Sequence, residues 1–539
     1  MPSPFRPLRR LAAVTATAAA VLSSTSASAQ TGPVPFLANA VRQAPAAAGG
    51  PTVRRLSMDE AVRLALEQNL GIRIQRIDPQ IQDLGIALAR SSWAPSLSTN
   101  FSRNGQSQAS TSALSGGATS VDNSTFSTGL GITQLLPTGA NYTANWNSSR
   151  FTTTNLFTSF SPQLQSAVQL SVTQPLFKNF KIDQVRQQVE LSSKARNLSS
   201  IQLNTVITQT SRNVRNAYWD LATSITNLQA QRQSLELAQR SLRDNQRRVE
   251  VGTMAPIDII QAQAEVAVNE QSVIVAEAAI KQAEDRLRAL IFDPDMAGFW
   301  DLTIEPSDTA PFAETAIDVN AAVSNALDKR GDLSEAKNSL EQNDVSIRYL
   351  RNQTLPEINA TLNYQSTGVG GTQLSPVNLG SIGSGGTPAR TVIADVGFGS
   401  VLGDALQSAF PNWTVGVTVG YPLGANTSQA NLARARLQYQ QAEARLKSLR
   451  LQVATEVRNV ARQVQTNQQR VKSARASREL QERKLDAEEK KQAAGMSTSF
   501  FVFQAQRDLA QARTQEIQAI SDYNKSLVDF EAVQEVPLR

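Results

Sequence analysis

Apolar residues stand seven apart along one long stretch of this chain: Ile207, Val214, Leu221, Leu228, Leu235, Leu242 and Val249. That spacing is a coiled-coil seam. It resumes at Ile259, Val266, Val273, Ile280 and Leu287. A weaker copy runs through Val457, Val464 and Val471, is broken by Arg478, and returns at Leu485. Residues 183–251 contain no proline and no glycine. A helix over that span would be about 100 Å long at 1.5 Å per residue. No single globule buries such a rod, so it must pack against partners along its length.

Elsewhere the period falls to two. Past Pro95, Leu97-Ser98-Thr99-Asn100-Phe101-Ser102 alternates larger with smaller polar residues. Past Pro356, Ile358, Ala360, Leu362 and Tyr364 alternate with Asn359, Thr361 and Asn363. Trp413, Val415, Val417, Val419 and Tyr421 alternate with Thr414, Gly416 and Thr418, and Val168, Leu170 and Val172 with Gln169, Ser171 and Thr173. Such strands suit a membrane barrel, with Ile358, Leu362, Trp413, Val415 and Val417 toward lipid and Asn359, Asn363, Thr414 and Thr418 toward a wet lumen. They suit a soluble sandwich with one wet face equally well, and alternation alone does not separate the two. Gly/Ser/Thr/Asn-rich stretches at 103–124 and 365–389 read as loops. A further hairpin over 126–147 turns at Leu136-Pro137-Thr138-Gly139 and has no counterpart later in the chain.

The two halves repeat each other. Ala61, Val62, Ala65, Leu66 and then Pro95 reappear as Ala322, Val323, Ala326, Leu327 and Pro356, and Pro175-Leu176 as Pro422-Leu423. Val214-Arg215-Asn216 returns as Val457-Arg458-Asn459, Gly252 as Gly495, and Gln261-Ala262-Gln263 as Gln504-Ala505-Gln506, all at one constant offset. A period of roughly 250 residues is far beyond a solenoid unit, so this is a duplicated domain. Each copy begins with a helix, the first marked by Ser57 with Glu60 as a capping box. Strands, a long helix, a glycine-centred turn and a returning helix follow. The expected organisation is a signal peptide over 1–29, a flexible leader over 30–55, a first repeat over 56–300, a linker over 301–315 and a second repeat over 316–539. Within them the strands occupy about 95–175 and 356–422, and the coiled-coil hairpins about 183–292 and 428–532.

The signal reading rests on Arg6, Arg9 and Arg10, an apolar stretch of about 12 residues that is short of a bilayer span, and Ala27-Ser28-Ala29. No other charge-free stretch approaches that length, so any membrane insertion must use strands. Cysteine and histidine are both absent among the 539 residues. That excludes disulfides, a lipid-anchored cysteine, a Ser-His-Asp triad and thiolate or imidazole metal sites, and no cofactor or metal is expected. The net charge of +6 owes about half to the three signal arginines, so no nucleic-acid partner is implied. Carboxylate pairs such as Asp293 and Asp295 invite an enzyme reading, but these two flank Pro294 and read as a solvated turn.

Three motifs add to the duplication: Asn216-Ala217-Tyr218-Trp219-Asp220-Leu221, Ser171-Val172-Thr173-Gln174-Pro175-Leu176-Phe177, and the tip Val251-Gly252-Thr253 with Asp258, echoed by Ala494-Gly495-Met496. In this order the chain resembles the TolC-like outer-membrane efflux proteins over nearly its whole mature length. The resemblance implies an α+β fold and a homotrimer. Four strands per chain would make a shared twelve-stranded barrel in the outer membrane, and helical hairpins a shared periplasmic tube. It also implies a passive exit duct for an inner-membrane transporter in efflux or type I secretion, joined by a periplasmic adaptor that docks at Val251, Gly252, Thr253, Asp258, Ala494, Gly495 and Met496. Relatives often carry an acidic ring at the second tip; the matching positions here hold Phe501 and Gln504, with Ser497 in place of a basic partner. Phe500, Phe501 and Phe503 lie close by, so the expected constriction is Phe500, Phe501 and Gln504, closed by apolar packing. The alternative function is a trimeric coiled-coil adhesin or envelope spacer without a channel, which has no need of two reversing hairpins.

Overall fold

The computed structural model describes residues 53–535, except 111–118, 297, 309–311, 378–389 and 425. The signal segment, most of the leader and parts of the 103–124, 301–315 and 365–389 stretches lie outside the described residues. Helix α1 spans Met58–Gln68 and α2 Leu70–Ser91; the Ser57 hydroxyl accepts the Glu60 N–H at the start of α1. The heptad stretches form α3 (Gln184–Glu250) and α4 (Ile257–Ile291). The second copy opens with α5 (Val319–Lys329) and α6 (Gly331–Gln353). Its rods follow a short α7 (Phe398–Leu406) as α8 (Thr427–Ala493) and α9 (Ser499–Val533). The rods match in length, 67 residues for α3 and α8 and 35 for α4 and α9. Asp183 and Asn426 cap the two long ones, each side chain accepting a first-turn N–H. Within one chain the seam is only partly filled. Val214, Leu221 and Leu287 are fully buried, as are Val457, Val464 and Val471, while Leu228, Leu235, Leu242 and Val249 stay half-buried. Arg478, which interrupts the second seam, is satisfied across the helix pair by Glu516 at 2.6 Å and along its own helix by Glu482 at 2.9 Å.

One sheet carries the strands β2 (Ser96–Ala109), β3 (Ser120–Leu135), β4 (Asn141–Thr153), β5 (Phe160–Pro175), β7 (Glu357–Leu374), β8 (Val392–Val396) and β9 (Pro411–Gly420). The order is β2-β3-β4-β5-β7, with β9 and β8 both pairing β7, so seven strands form six columns. The mixed helix-and-strand class stands, but the four strands implied by the resemblance are exceeded. The hairpin over 126–147 is a pair of strands of this sheet, β3 and β4, and its turn closes with Gly139 at φ +84°. The stretches read as loops are corrected too: 103–109, 120–124 and 365–374 continue β2, β3 and β7. Small polar residues carry no alternation to betray a strand whose two faces are both polar. A membrane strand needs only about 9–11 residues; β7 has 18 and overshoots.

The register gathers one apolar face. Leu97, Ile132, Ala144, Leu170, Tyr364 and Trp413 stand in a single row across all six columns. The opposite face places Asn145, Gln169, Gln365 and Asn412 in a row. Farther from the helices the apolar band ends where Arg103 and Arg150 flank Phe126. There α7 lies on the same face: a Cβ at Gly368 would come 2.0 Å from the Val401 carbonyl oxygen, so only glycine lets the helix seat.

Between the sheet-bearing end and the hairpin tips, β1 (Val53–Leu56) pairs in parallel with β6 (Thr303–Pro306). β1 falls at the end of the segment expected as a flexible leader and β6 in the expected linker; runs of four residues are too short for a period to show. They cap a core of Leu56, Ala61, Ala65, Val214, Tyr218, Leu221, Leu287 and Ile291. The Tyr218 hydroxyl accepts the Asp308 N–H at 3.1 Å and reaches the Leu56 carbonyl at 3.1 Å. Burial pushes its pKa up to about 12. On the other side, the buried Glu284 carboxylate accepts the Ile304 N–H at 2.7 Å, and the buried Arg288 donates to the Leu302 carbonyl at 2.6 Å. Glu284 and Arg288 lie 3.6 Å apart, so each neutralises the other. Arg288 keeps a second partner in Asp285, so replacing Glu284 by Ala chiefly strips the Ile304 N–H of its acceptor, and should cost about 1–3 kcal/mol in denaturant unfolding.

Candidate functional site

Both rods reverse through the same backbone device. At the end of α3 the Gly252 N–H bonds the Val249 carbonyl at 2.9 Å and the Thr253 N–H bonds Arg248 at 2.8 Å. At the end of α8 the Gly495 N–H bonds Gln492 at 3.0 Å and the Met496 N–H bonds Lys491 at 2.8 Å. Each is a Schellman closure with glycine at the left-handed position, at φ +76° and +75°. A Cβ at either glycine meets nothing within 4 Å, so the requirement is conformational and not one of space. Val251, Gly252, Thr253, Ala494, Gly495 and Met496 are all exposed, and Val251 and Met496 present apolar side chains to solvent. The tips touch each other within the chain: Ser499 lies against the Met254 sulfur at 3.8 Å, and Gln506 donates to Ser241 at 3.0 Å.

The aromatic trio separates by helix face. Phe500 and Phe501 are half-exposed and pack edge to face, with centroids 5.6 Å apart, and Gln504 is exposed on their side of α9. Phe503 instead turns inward with Val502 against the end of α3, lining a small cleft with Ser241 and Asn245. Phe501 and Phe503 stand two apart and so on opposite sides of the helix, and the burial of Phe503 takes it out of any constriction that Phe501 lines. Acidic groups near the tips are mostly spoken for. Asp508 is bound by Lys484 at 2.7 Å, and Glu488 accepts from Lys491 at 2.7 Å and from Ser497 at 2.9 Å, which holds its carboxyl below the usual range. Asp258 sits in the first turn of α4, where a carboxylate complements the helix dipole. Asp293 pairs with Arg73 at 2.7 Å and accepts the Asp295 N–H, as a turn would have it.

A family model described as "Outer membrane efflux protein" matches residues 138–291 and 322–533, more than half the chain and both hairpins. The chain belongs to that family. This efflux protein is therefore an outer-membrane transport protein with a helical periplasmic extension. No curated protein matches it. Solved structures similar to it include a membrane protein from Pseudomonas aeruginosa, at 17% identity and TM-score 0.62 over 88% of this chain and 90% of that one. The Campylobacter jejuni CmeC outer membrane channel aligns at 15% identity and TM-score 0.59, over 89% and 85%. The open state of the Neisseria gonorrhoeae MtrE outer membrane channel aligns at 17% and 0.60, over 89% of each chain. At such identities the likeness carries the fold.

One apolar surface of the efflux protein escaped the sequence reading. Ile74, Ile77, Ile81, Leu84 and Leu88 of α2 are 52–74% exposed, at 3-and-4 spacing along a single stripe. The heptad signal was there, but it is short beside that of α3. For the tips, Ala in place of Gly252 or Gly495 should cost about 1–2 kcal/mol of left-handed strain, and Asn less. Amide exchange at Thr253 or Met496, the closing donors, should then quicken about tenfold for Ala. Unchanged exchange would mean that the turn does not depend on glycine.

Proposed function

We propose that three copies of the chain assemble into a passive exit duct, and that its tips meet a periplasmic adaptor which links it to an inner-membrane transporter. The carrying observation is a sheet with one apolar face and two open edges, a wall that is finished only by other copies. The exposed stripe on α2 and the half-filled seam of α3 favour the same completion, since a stripe at 3-and-4 spacing packs against a neighbouring helix. The two exposed glycine tips, with Val251 and Met496, are the surface offered to the adaptor, and Asp258 lies beside them. Phe501, with Phe500 and Gln504, closes the entrance by apolar packing. Three such side chains converging on an axis exclude water and block ions without fixed charge. The paired states of Asp508 and Glu488 favour this over an acidic ring. The reversing hairpins disfavour an adhesin stalk.

The purified protein should have a detergent-corrected mass of three chains and conduct weakly in planar bilayers. Phe501→Ser should raise the conductance, and divalent cations on the periplasmic side should block little. A monomeric mass contradicts the duct, and strong block at low cation concentration contradicts the apolar closure.

A further inference from the structure

The hairpin β3–β4 is the feature that the duct reading does not absorb. In the second copy the chain crosses the sheet out along β7 and back along β8 and β9; in the first it crosses four times. The family match begins at residue 138, which leaves β2 and β3 outside it. An inserted hairpin either joins the wall or projects from it, and three observations favour the wall. First, the ladders run unbroken, from Ser96↔Thr133 to Ala109↔Ser120, from Asn123↔Thr153 to Leu135↔Asn141, and from Asn141↔Thr173 to Phe151↔Gln163. Second, the hairpin obeys the two-face rule of its neighbours, with Leu130, Ile132 and Trp146 on the apolar side and Thr133, Thr143 and Asn145 on the polar side. A projecting hairpin in water has no reason to continue that band. Third, its turn is seated at the rim where strands meet rods. A Cβ at Gly139 would lie 2.7 Å from the Asn179 carbonyl oxygen and 2.8 Å from the Arg186 guanidinium, and Gln174 reaches the Thr138 carbonyl at 3.4 Å.

We infer that β3 and β4 belong to the barrel wall, so that three chains, each giving six columns, close a barrel of eighteen strands in place of the twelve implied by the family resemblance. This rests on the trimeric duct. The joints are the free edge of β2 on one copy and the β9 edge of the next, since lipid tolerates no open edge. Barrel diameter grows roughly linearly with strand number, so the bore is about 1.5 times wider than a twelve-stranded one. Among the described residues its polar face is mostly Ser, Thr, Asn, Gln and Gly, with a few apolar side chains such as Phe151 and Val369, and its one acidic position, Glu357, sits at the rim and is paired with Lys178 at 3.2 Å. A wide, uncharged bore passes bulky cargo without sorting it by charge, and large neutral or mixed-charge molecules are the class that fits.

The chain has no cysteine, so engineered pairs report without background. In membranes, Leu97→Cys with Ile132→Cys and Ala144→Cys with Leu170→Cys should form disulfides within a chain. Ser98→Cys, tried in turn with Asn412→Cys, Thr414→Cys and Thr418→Cys, should join chains into a covalent trimer. A disulfide from Ser98→Cys to Gln169→Cys, Ser171→Cys or Thr173→Cys in place of the Leu97–Ile132 link would put β2 directly beside β5 and overturn the inference. So would failure of all three Ser98 pairs to join chains. The detergent-corrected mass of the same samples reads the duct separately: a mass other than three chains brings down the trimer, and the count of eighteen with it. Should the variants not assemble, the wild type still decides. Poly(ethylene glycol) entering from outside should be excluded only at about 1.5 times the diameter excluded by a twelve-stranded member of the family. An equal cut-off overturns the wide wall.

Discussion

A backbone N–H or C=O cannot be left unpaired in hydrocarbon, and the rest of this molecule follows from that constraint. Six columns of strand cannot close on themselves, so the sheet leaves both β2 and β9 with a free edge. The apolar row from Leu97 to Trp413 makes the sheet unfit for water as a lone chain, and the open edges make it unfit for lipid as a lone chain. Only closure with further copies satisfies both. The duplication provides each copy with a rim, where a strand ends and a rod begins, and so a helical continuation on the periplasmic side.

The rods obey the same logic with side chains in place of backbone. Two helices of 67 residues fill their own seams at Val214 and Leu221 and at Val457, Val464, Val471 and Leu485. Above and below, half-buried leucines and the bare stripe of α2 wait for neighbours. Where the chain can finish a core alone it does so with local devices, the Tyr218–Asp308 contact and the Glu284–Arg288 pair that hold the small β1–β6 sheet. That girdle makes one chain a stable part; the stripes and edges make it a part of something larger.

Long periodic elements were legible in the sequence and short or unpatterned ones were not. The rods, the Ser57 cap of the first helix and the glycine reversals were readable, because heptads, a capping box and a left-handed glycine leave strong local marks, while the caps at Asp183 and Asn426 came only from the structure. The strands were readable only where one face meets apolar surroundings: Trp413 to Val419 alternate, while the outer part of β7 does not and passes for a loop. The pairing of β1 with β6 spans 250 residues of sequence for four of contact, and nothing local announces it. At the tip, a cluster of three phenylalanines hid a division of labour that only the packing of α9 on α3 separates, with Phe503 inward and Phe500 and Phe501 outward.

The account depends most on the sheet dividing lipid from water, with neighbouring residues of one strand on opposite sides. Val417 and Thr418 of β9 are adjacent, both exposed on the lone chain, and lie on the apolar and the polar face. The direct measurement is the free energy of folding into bilayers for an arginine at each. Val417→Arg should cost about 2–4 kcal/mol near the midplane, and Thr418→Arg much less because its charge stands in a water-filled bore. Equal costs at the two positions would mean that no wet lumen lies behind the wall, and the duct would be contradicted.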